Sequence, residues 1–279
     1  MILNNKNYFY SRFRHSKIGK MPEGPEIYRE SKYLNEKIKG YSLKAYEKRE
    51  SYNIPSEDLL KDIMDSGAEI VEVYSKGKKT IISFGDINIL ISYGLTGEFL
   101  SSEEYKRTMT KNVPISFLFS LNGKEKRIYY HDPRGFGNIT VGKRVEIKKQ
   151  LASLGPDPIQ EDVSYDDFLE TFKNNRKNKI KVVNFLMDQK NIAGIGNKWV
   201  AEIMFATGLY PLAPLQMIPE NHRRALFENI VYILREASKN PDLDLRVYRK
   251  TSYKDQVVDT IKNSGRTVYY VPSIQKIGI

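Results

Sequence analysis

The run Leu154-Gly155-Pro156-Asp157-Pro158 divides the chain into two textures that one uniform fold cannot accommodate. Ahead of it, from Tyr41 to about Val145, short apolar segments are broken by turn residues: Ala68 to Tyr74, Lys79 to Phe84, Ile87 to Ser92, Ile115 to Leu121 and Arg127 to His131. This spacing predicts a β-sandwich or barrel. Beyond the connector the period becomes helical. Ser164 and Asp167 form a capping-box variant, with Val163 and Phe168 placed as a hydrophobic staple, so a helix should begin near Tyr165. Ile180 to Asp188, Asn197 to Thr207 and Pro219 to Ser238 read as further helices, the last with Leu226, Ile230, Ile233, Leu234 and Ala237 on one face. The tail returns to β structure, Val257 to Ile261 and Thr267 to Val271 flanking the turn Lys262-Asn263-Ser264-Gly265-Arg266. The class is α+β, divided as an extension (1–21), a sandwich domain (22–145), a helical domain (146–240) and a hairpin (241–279).

The 279 residues carry a net charge of +11, which points to a polyanionic partner, most simply nucleic acid, or to a solvated lysine-rich surface. Cysteine is absent, so disulfides and thiolate metal sites are excluded, and His15, His131 and His222 are too scattered for a metal cluster. No apolar run approaches the roughly 18 residues that suggest a membrane span. An intracellular, monomeric protein is expected. Residues 1–20 hold Lys6, Arg12, Arg14, Lys17 and Lys20 without an acid, which fits an organelle-targeting presequence or a misplaced start, the second being preferred.

Met21-Pro22-Glu23-Gly24-Pro25-Glu26 sets a proline beside a carboxylate after a possible initiator. With Met21 as the start and removed, Pro22 becomes a secondary amine titrating near 7.7–8.0, against about 10.4 for lysine, so a useful fraction is uncharged at neutral pH. Attack on a sugar C1′ gives an iminium that acts as an electron sink, with Glu23 trading protons with the opening ring. With twenty residues ahead of Met21, Pro22 is instead a tertiary amide and that chemistry is closed. The same run also reads as a helix start, since Ile27, Ser31, Leu34 and Ile38 mark an amphipathic helix ending at Gly40. Gly194-Ile195-Gly196-Asn197 reads as a phosphate-binding turn at a helix start or as an ordinary interhelical turn.

The segment from Phe185-Leu186-Met187-Asp188-Gln189-Lys190 through Gly194-Ile195-Gly196-Asn197 to Ala201-Glu202-Ile203 resembles the helix-two-turn-helix signature of the Fpg/Nei DNA glycosylases. The opening at Met21 resembles the same family's start in its Nei (endonuclease VIII) version, and the likeness runs from Met21 to about Lys276. It implies Pro22 as the Schiff-base nucleophile, Glu23 as its acid–base partner and Glu26 as support for the active site. In Ser75-Lys76-Gly77-Lys78 it makes Lys78 the lysine that contacts a phosphate and supports catalysis, where the residue alone reads first as a surface lysine among Lys76 and Lys79. Gly196 and Asn197 would grip the lesion phosphate. Ser92-Tyr93-Gly94-Leu95-Thr96-Gly97 supplies Leu95 to fill the gap left by an everted base, its other reading being core packing. Asp132-Pro133-Arg134-Gly135-Phe136-Gly137 supplies Arg134 to face the orphaned base and Phe136 to stack in the duplex. Gly135 stands where the family often has a second basic residue.

The last segment, Gly265 to Gln275, resembles the family's zinc-finger ending with Val271 and Ile274 in place of cysteines, a zincless finger held by packing of Val257, Ile261, Tyr269, Val271 and Ile274. Arg266 at its tip would clamp the phosphate. The implied function is a bifunctional DNA glycosylase and AP lyase in base excision repair, acting on damaged DNA in nucleus or nucleoid, favouring oxidised pyrimidines through Gly24 and Leu95, and needing no redox or metal cofactor. The rivals are a damage-binding protein with Pro22 blocked, and a generic helix-two-turn-helix module that leaves Pro22, Glu23, Leu95 and Arg134 unexplained.

Overall fold

The computed structural model describes residues 21–176 and 179–276, so the expectations for residues 1–20 fall outside it. Helix α1 (Gly24–Ile38) opens the described chain, with Pro25 in its first turn and Ile27, Ser31, Leu34 and Ile38 buried as the spacing predicts. It is followed by β1 (Ser42–Lys48), α2 (Asp58–Ser66), β2 (Glu72–Lys76), β3 (Lys79–Ser83), β4 (Ile87–Ser92), β5 (Glu98–Ser101), α3 (Ser102–Thr108), β6 (Ile115–Leu121), β7 (Lys124–His131) and β8 (Asn138–Lys143). The strands form two four-stranded antiparallel sheets, ordered β1-β6-β7-β5 and β2-β3-β4-β8. Val73, Ile82, Ile89 and Ile91 of one sheet meet Phe99, Phe117, Phe119 and Tyr130 of the other in a common core. Alternation along β3 and β4 sends Ile81 and Leu90 to the opposite face, where Ile147 and Leu151 of α4 (Arg144–Leu151) cover them. The sandwich body therefore extends past Val145 into α4.

After the connector come α5 (Tyr165–Arg176), α6 (Val182–Met187), α7 (Asn197–Thr207) and α8 (Glu220–Lys239). The cap forms, Asp167 N–H donating to Ser164 Oγ at 3.1 Å and the Ser164 hydroxyl donating to Asp167 Oδ2 at 2.6 Å. Phe168, Phe172, Phe185, Trp199, Ile203 and Leu234 belong to a second core. Two short strands, β9 (Ser252–Tyr253) and β10 (Gln256–Val257), precede the terminal hairpin of β11 (Asp259–Asn263) and β12 (Arg266–Tyr270). Its turn is Ser264-Gly265 with both φ positive (48° and 77°), the left-handed geometry that suits a two-residue hairpin loop.

The hairpin is anchored differently from the packing expected of it. Val257 and Ile274 are exposed, at 69% and 44%. Val268 instead enters the helical core, and Val271 is fully buried with Val247 and Val258. Gln275 then ties the end down: Val271 N–H donates to its Oε1 at 2.8 Å, and its Nε2 donates to Leu209 O at 2.8 Å. Ile261 and Tyr269 are half-buried. Val257 and Ile274 thus drop out of the proposed packing set because the chain between β10 and β11 turns Val258, not Val257, inward.

Candidate active site

The site lies on the seam between the two bodies, and small residues make the seam possible. Gly24 N–H donates to Gly194 O at 2.9 Å, and a Cβ on Gly24 would sit 2.8 Å from Gly194 Cα. Gly77, at φ +57°, lets the β2–β3 turn approach the Cβ of Ala193. At Gly196 a Cβ would lie 2.3 Å from Glu23 Cδ, so this glycine exists to admit the carboxylate. The packing against Gly194 accounts for Gly24 without reference to any substrate.

Glu23 is only 3% exposed, and its carboxylate accepts the N–H groups of Lys198 (2.9 Å) and Trp199 (3.2 Å) in the first turn of α7. A buried acid thus sits at the positive end of a helix. Burial pushes its pKa above the ordinary value of 4.5, and Lys78 and Lys198 pull back against it. Glu26 behaves oppositely. Burial disfavours its charge too, but Lys198 (2.8 Å) and Arg29 (3.4 Å) outweigh that and hold it below the usual value. Its Oε2 accepts Glu23 N–H at 3.1 Å and Trp199 Nε1–H at 3.4 Å, which fixes the Pro22–Glu23 unit in place. Two neighbouring carboxyls are therefore driven apart, one toward holding a proton and the other toward staying ionised, a division typical of acid–base sites.

Pro22 lines a cleft of about 190 Å³ together with Lys78, Lys79, Ser92 and Gln189. Burial lowers the pKa of Lys78, opposed by Glu23 and reinforced by Arg266, so the hairpin arginine is an electrostatic neighbour of the turn lysine. Asn197 starts α7, and its Nδ2 donates to Thr267 O at 2.8 Å, joining the two-turn motif to the hairpin. One of its two N–H groups is thus engaged by the protein rather than free for phosphate, while its buried Oδ1 has no partner. Arg266 itself is exposed, with Met187 Sδ 3.9 Å away.

Leu95 lies between β4 and β5, and Arg134 and Phe136 between β7 and β8. Leu95 is half-buried, Arg134 is exposed and Phe136 is 60% exposed, with the Arg134 guanidinium 5.2 Å from the Phe136 ring centre. The two loops are one unit. Buried Asp132 accepts Thr96 Oγ1–H at 2.9 Å from the first loop and Gly137 N–H at 2.7 Å from the second. Gly94, at φ +60°, rests on the Phe136–Gly137 backbone so closely that a Cβ would come within 2.4 Å.

Several supporting residues escape the sequence reading. Asp157 in the connector accepts Gly77 N–H at 2.7 Å and so anchors the turn that carries Lys78, while Gln160 reaches Ser75 and Glu161 pairs with Lys76. Glu202, 2% exposed, accepts the N–H groups of Arg246, Val247 and Tyr248 at 2.9 Å each. It thereby shapes the segment between Asn240 and Ser252 and seats Tyr248 against Tyr269. A lone acid among Trp199, Val200, Ala201, Ile203 and Met204 is the signal that could have marked it.

This arrangement matches known proteins along most of the chain. Residues 21–139 match the formamidopyrimidine-DNA glycosylase N-terminal domain, and residues 154–245 match the H2TH domain of the same enzymes. A formamidopyrimidine-DNA glycosylase of Psychromonas ingrahamii is 26% identical over 264 residues, spanning 92% of this chain and 88% of that protein. One from Glaesserella parasuis is 28% identical over 220 residues, spanning 77% and 75%. The Lactococcus lactis enzyme bound non-covalently to DNA containing an AP site superposes with a TM-score of 0.80 at 24% identity, covering 91% of this chain and 99% of that one. MutM in complex with DNA containing carbocyclic 8-oxo-G gives the same TM-score at 23% identity, covering 91% and 100%. The sandwich, the two-turn motif and the terminal hairpin occur in the shared order, and no helix among the described residues is long and apolar enough to cross a membrane. The chain belongs to the Fpg/Nei family of DNA glycosylases.

Proposed function

We propose that this chain, once Pro22 is its N-terminus, excises oxidised bases from damaged DNA and then cleaves the strand at the resulting abasic site. The observation that carries this reading is the burial of Glu23 on the α7 N-terminus directly beside Pro22, with Lys78 across from it. The neutral amine of Pro22 attacks C1′ of the everted nucleotide. The base departs with the proton that the attacking amine gives up, while Glu23, holding its proton to higher pH than an ordinary glutamate, delivers it to the opening sugar ring oxygen, and an iminium remains on Pro22. Loss of a C2′ proton to the carboxylate expels the 3′ phosphate, and a second elimination expels the 5′ phosphate. Lys78, Arg266, Asn197 and Gly196 hold the phosphates, which positions the lesion without reading sequence. Leu95, Arg134 and Phe136 occupy the gap that eversion leaves.

Oxidised pyrimidines are the favoured substrates, on the resemblance of the opening segment and the Leu95 loop to the Nei type. The partner is damaged DNA, and the protein acts as a monomer. Borohydride trapping on DNA with thymine glycol or an abasic site, comparing the 279-residue chain with one beginning at Met21 and checking each N-terminus by mass, tests the chemistry. A covalent adduct from the Pro22-terminated form is the expected result. Binding without trapping in both forms would instead make this a noncatalytic damage binder. Competition between thymine glycol and 8-oxoguanine duplexes tests the base preference, and faster excision of 8-oxoguanine would reverse it.

A further inference from the structure

Lys79 lines the same cleft as Pro22, one residue beyond Lys78, and nothing in the chemistry above uses it. Its half-buried ammonium donates to Ser92 Oγ at 2.9 Å across the β3–β4 pair, in which Lys79 and Ser92 are direct register partners. That hydrogen bond, made by a rigid strand residue, fixes where the charge sits. Most of the other charges around the cleft are engaged. Lys78 from the same turn faces Glu23, and Glu26 is engaged by Lys198 of α7 and by Arg29 of its own helix. Arg266 from the hairpin reaches the cleft through its influence on Lys78, and Tyr248 lies close enough to Glu23 to feel its charge. For Lys79 the resolved influence is burial, with no carboxylate among the described residues drawn to it.

We infer that Lys79 is a positioning residue whose fixed ammonium, by charge repulsion, keeps the N-terminal amine of Pro22 unprotonated and ready to attack C1′. A cation beside an amine favours the neutral form of that amine, as in other enzymes whose nucleophilic amines are activated by a neighbouring charge. An ordinary lysine titrates near 10.4 and an α-amine near 7.7–8.0, so Lys79 has room to be pulled down by burial and still hold its proton where Pro22 loses its own. Glu23 and Glu26 act in the opposite sense and would keep the amine charged. Lys79 offsets them without touching the reacting atoms.

The inference rests on Pro22 being the nucleophile, and its test separates the two claims. Single-turnover borohydride trapping on DNA with a preformed abasic site is measured against pH for the Pro22-terminated parent, Lys79→Met and Lys79→Arg, with DNA affinity measured at several salt concentrations for each. In Lys79→Met the midpoint of the acid limb should rise by about one pH unit, so that trapping below the midpoint falls up to about tenfold. Lys79→Arg should restore the parental midpoint. A parent that traps, with the same midpoint in Lys79→Met, overturns the inference alone. If that variant also shows a flatter salt dependence, Lys79 is a phosphate grip instead. An adduct mapped to Lys79 itself would make it a nucleophile and equally overturn the inference. A parent that never traps removes the Pro22 reading and this inference together.

Discussion

The seam around Glu23 and the paired loops around Asp132 are built from the same parts and carry opposite exposures. In each, glycines bring two backbone segments into direct contact, and one buried carboxylate ties the segments together. At the seam that carboxylate belongs to the proposed chemistry, and burial changes its proton affinity. At the loops Asp132 is a brace, and the residues assigned to work, Arg134 and Phe136, stand in solvent. Proton transfer needs a dry, fixed acid before substrate arrives, whereas insertion into a duplex needs side chains that are desolvated only by the duplex itself.

Mutations should separate the two regions. The largest effect is expected for Glu23→Gln, which preserves shape but removes the titrating group: single-turnover base excision should drop by roughly 10²–10⁴-fold. Its stability should move the other way. A raised folded pKa means that the folded state binds the proton more tightly than the unfolded chain. The stability it confers is therefore present below the ordinary value of 4.5 and is lost as pH rises through the folded value. Thermal melts of parent and Glu23→Gln should diverge in favour of the variant as pH increases past that point, and a constant difference would contradict burial of the charge.

Next in size is Gly196→Ala, whose added methyl would collide with Glu23 Cδ. Overpacking of this kind costs about 1–3 kcal/mol, so a melting temperature several degrees lower should accompany a loss of excision. Parental excision kinetics in this variant would show that Glu23 needs no fixed seat. Thr96→Val should cut the tie between the loops and slow excision from duplex DNA by about tenfold, the equivalent of about one lost hydrogen bond. Strand cleavage at a preformed abasic site in single-stranded DNA should change little. An equal loss on both substrates would mean that the brace serves the seam after all. The smallest catalytic effect belongs to Gln275→Ala, which removes two buried hydrogen bonds far from Pro22. A stability loss of about 1–3 kcal/mol with near-parental turnover of the folded fraction is the expected pair of results.

Much of this was legible in the sequence because the relevant signals are local. The α1 spacing, the Ser164–Asp167 cap, the GxGN turn and the hairpin tip each depend on residues within one or two turns of chain, and each forms as read. The residues that escaped depend on partners distant in sequence. Asp157 meets Gly77 across 80 positions, Glu202 meets Arg246 across 44, and Gln275 meets Leu209 across 66. No periodicity records such pairs. Lys79 was hidden for another reason: beside Lys76 and Lys78 it reads as one more surface charge, and only the strand register turns it toward Ser92 and the cleft. The hairpin shows the limit of pattern in a third way, since the inward choice between Val257 and Val258 is one residue of register, which flips every side chain to the other face.

The way the hairpin ends has a consequence for when the protein can work. A finger closed by thiolates and a metal fails when chelators strip the ion or oxidants attack the sulfur. Here the same closure is made by an amide and three valines, groups that hydrogen peroxide and chelators leave alone. The hairpin that carries Arg266 is therefore closed by groups that a chelator or peroxide does not attack.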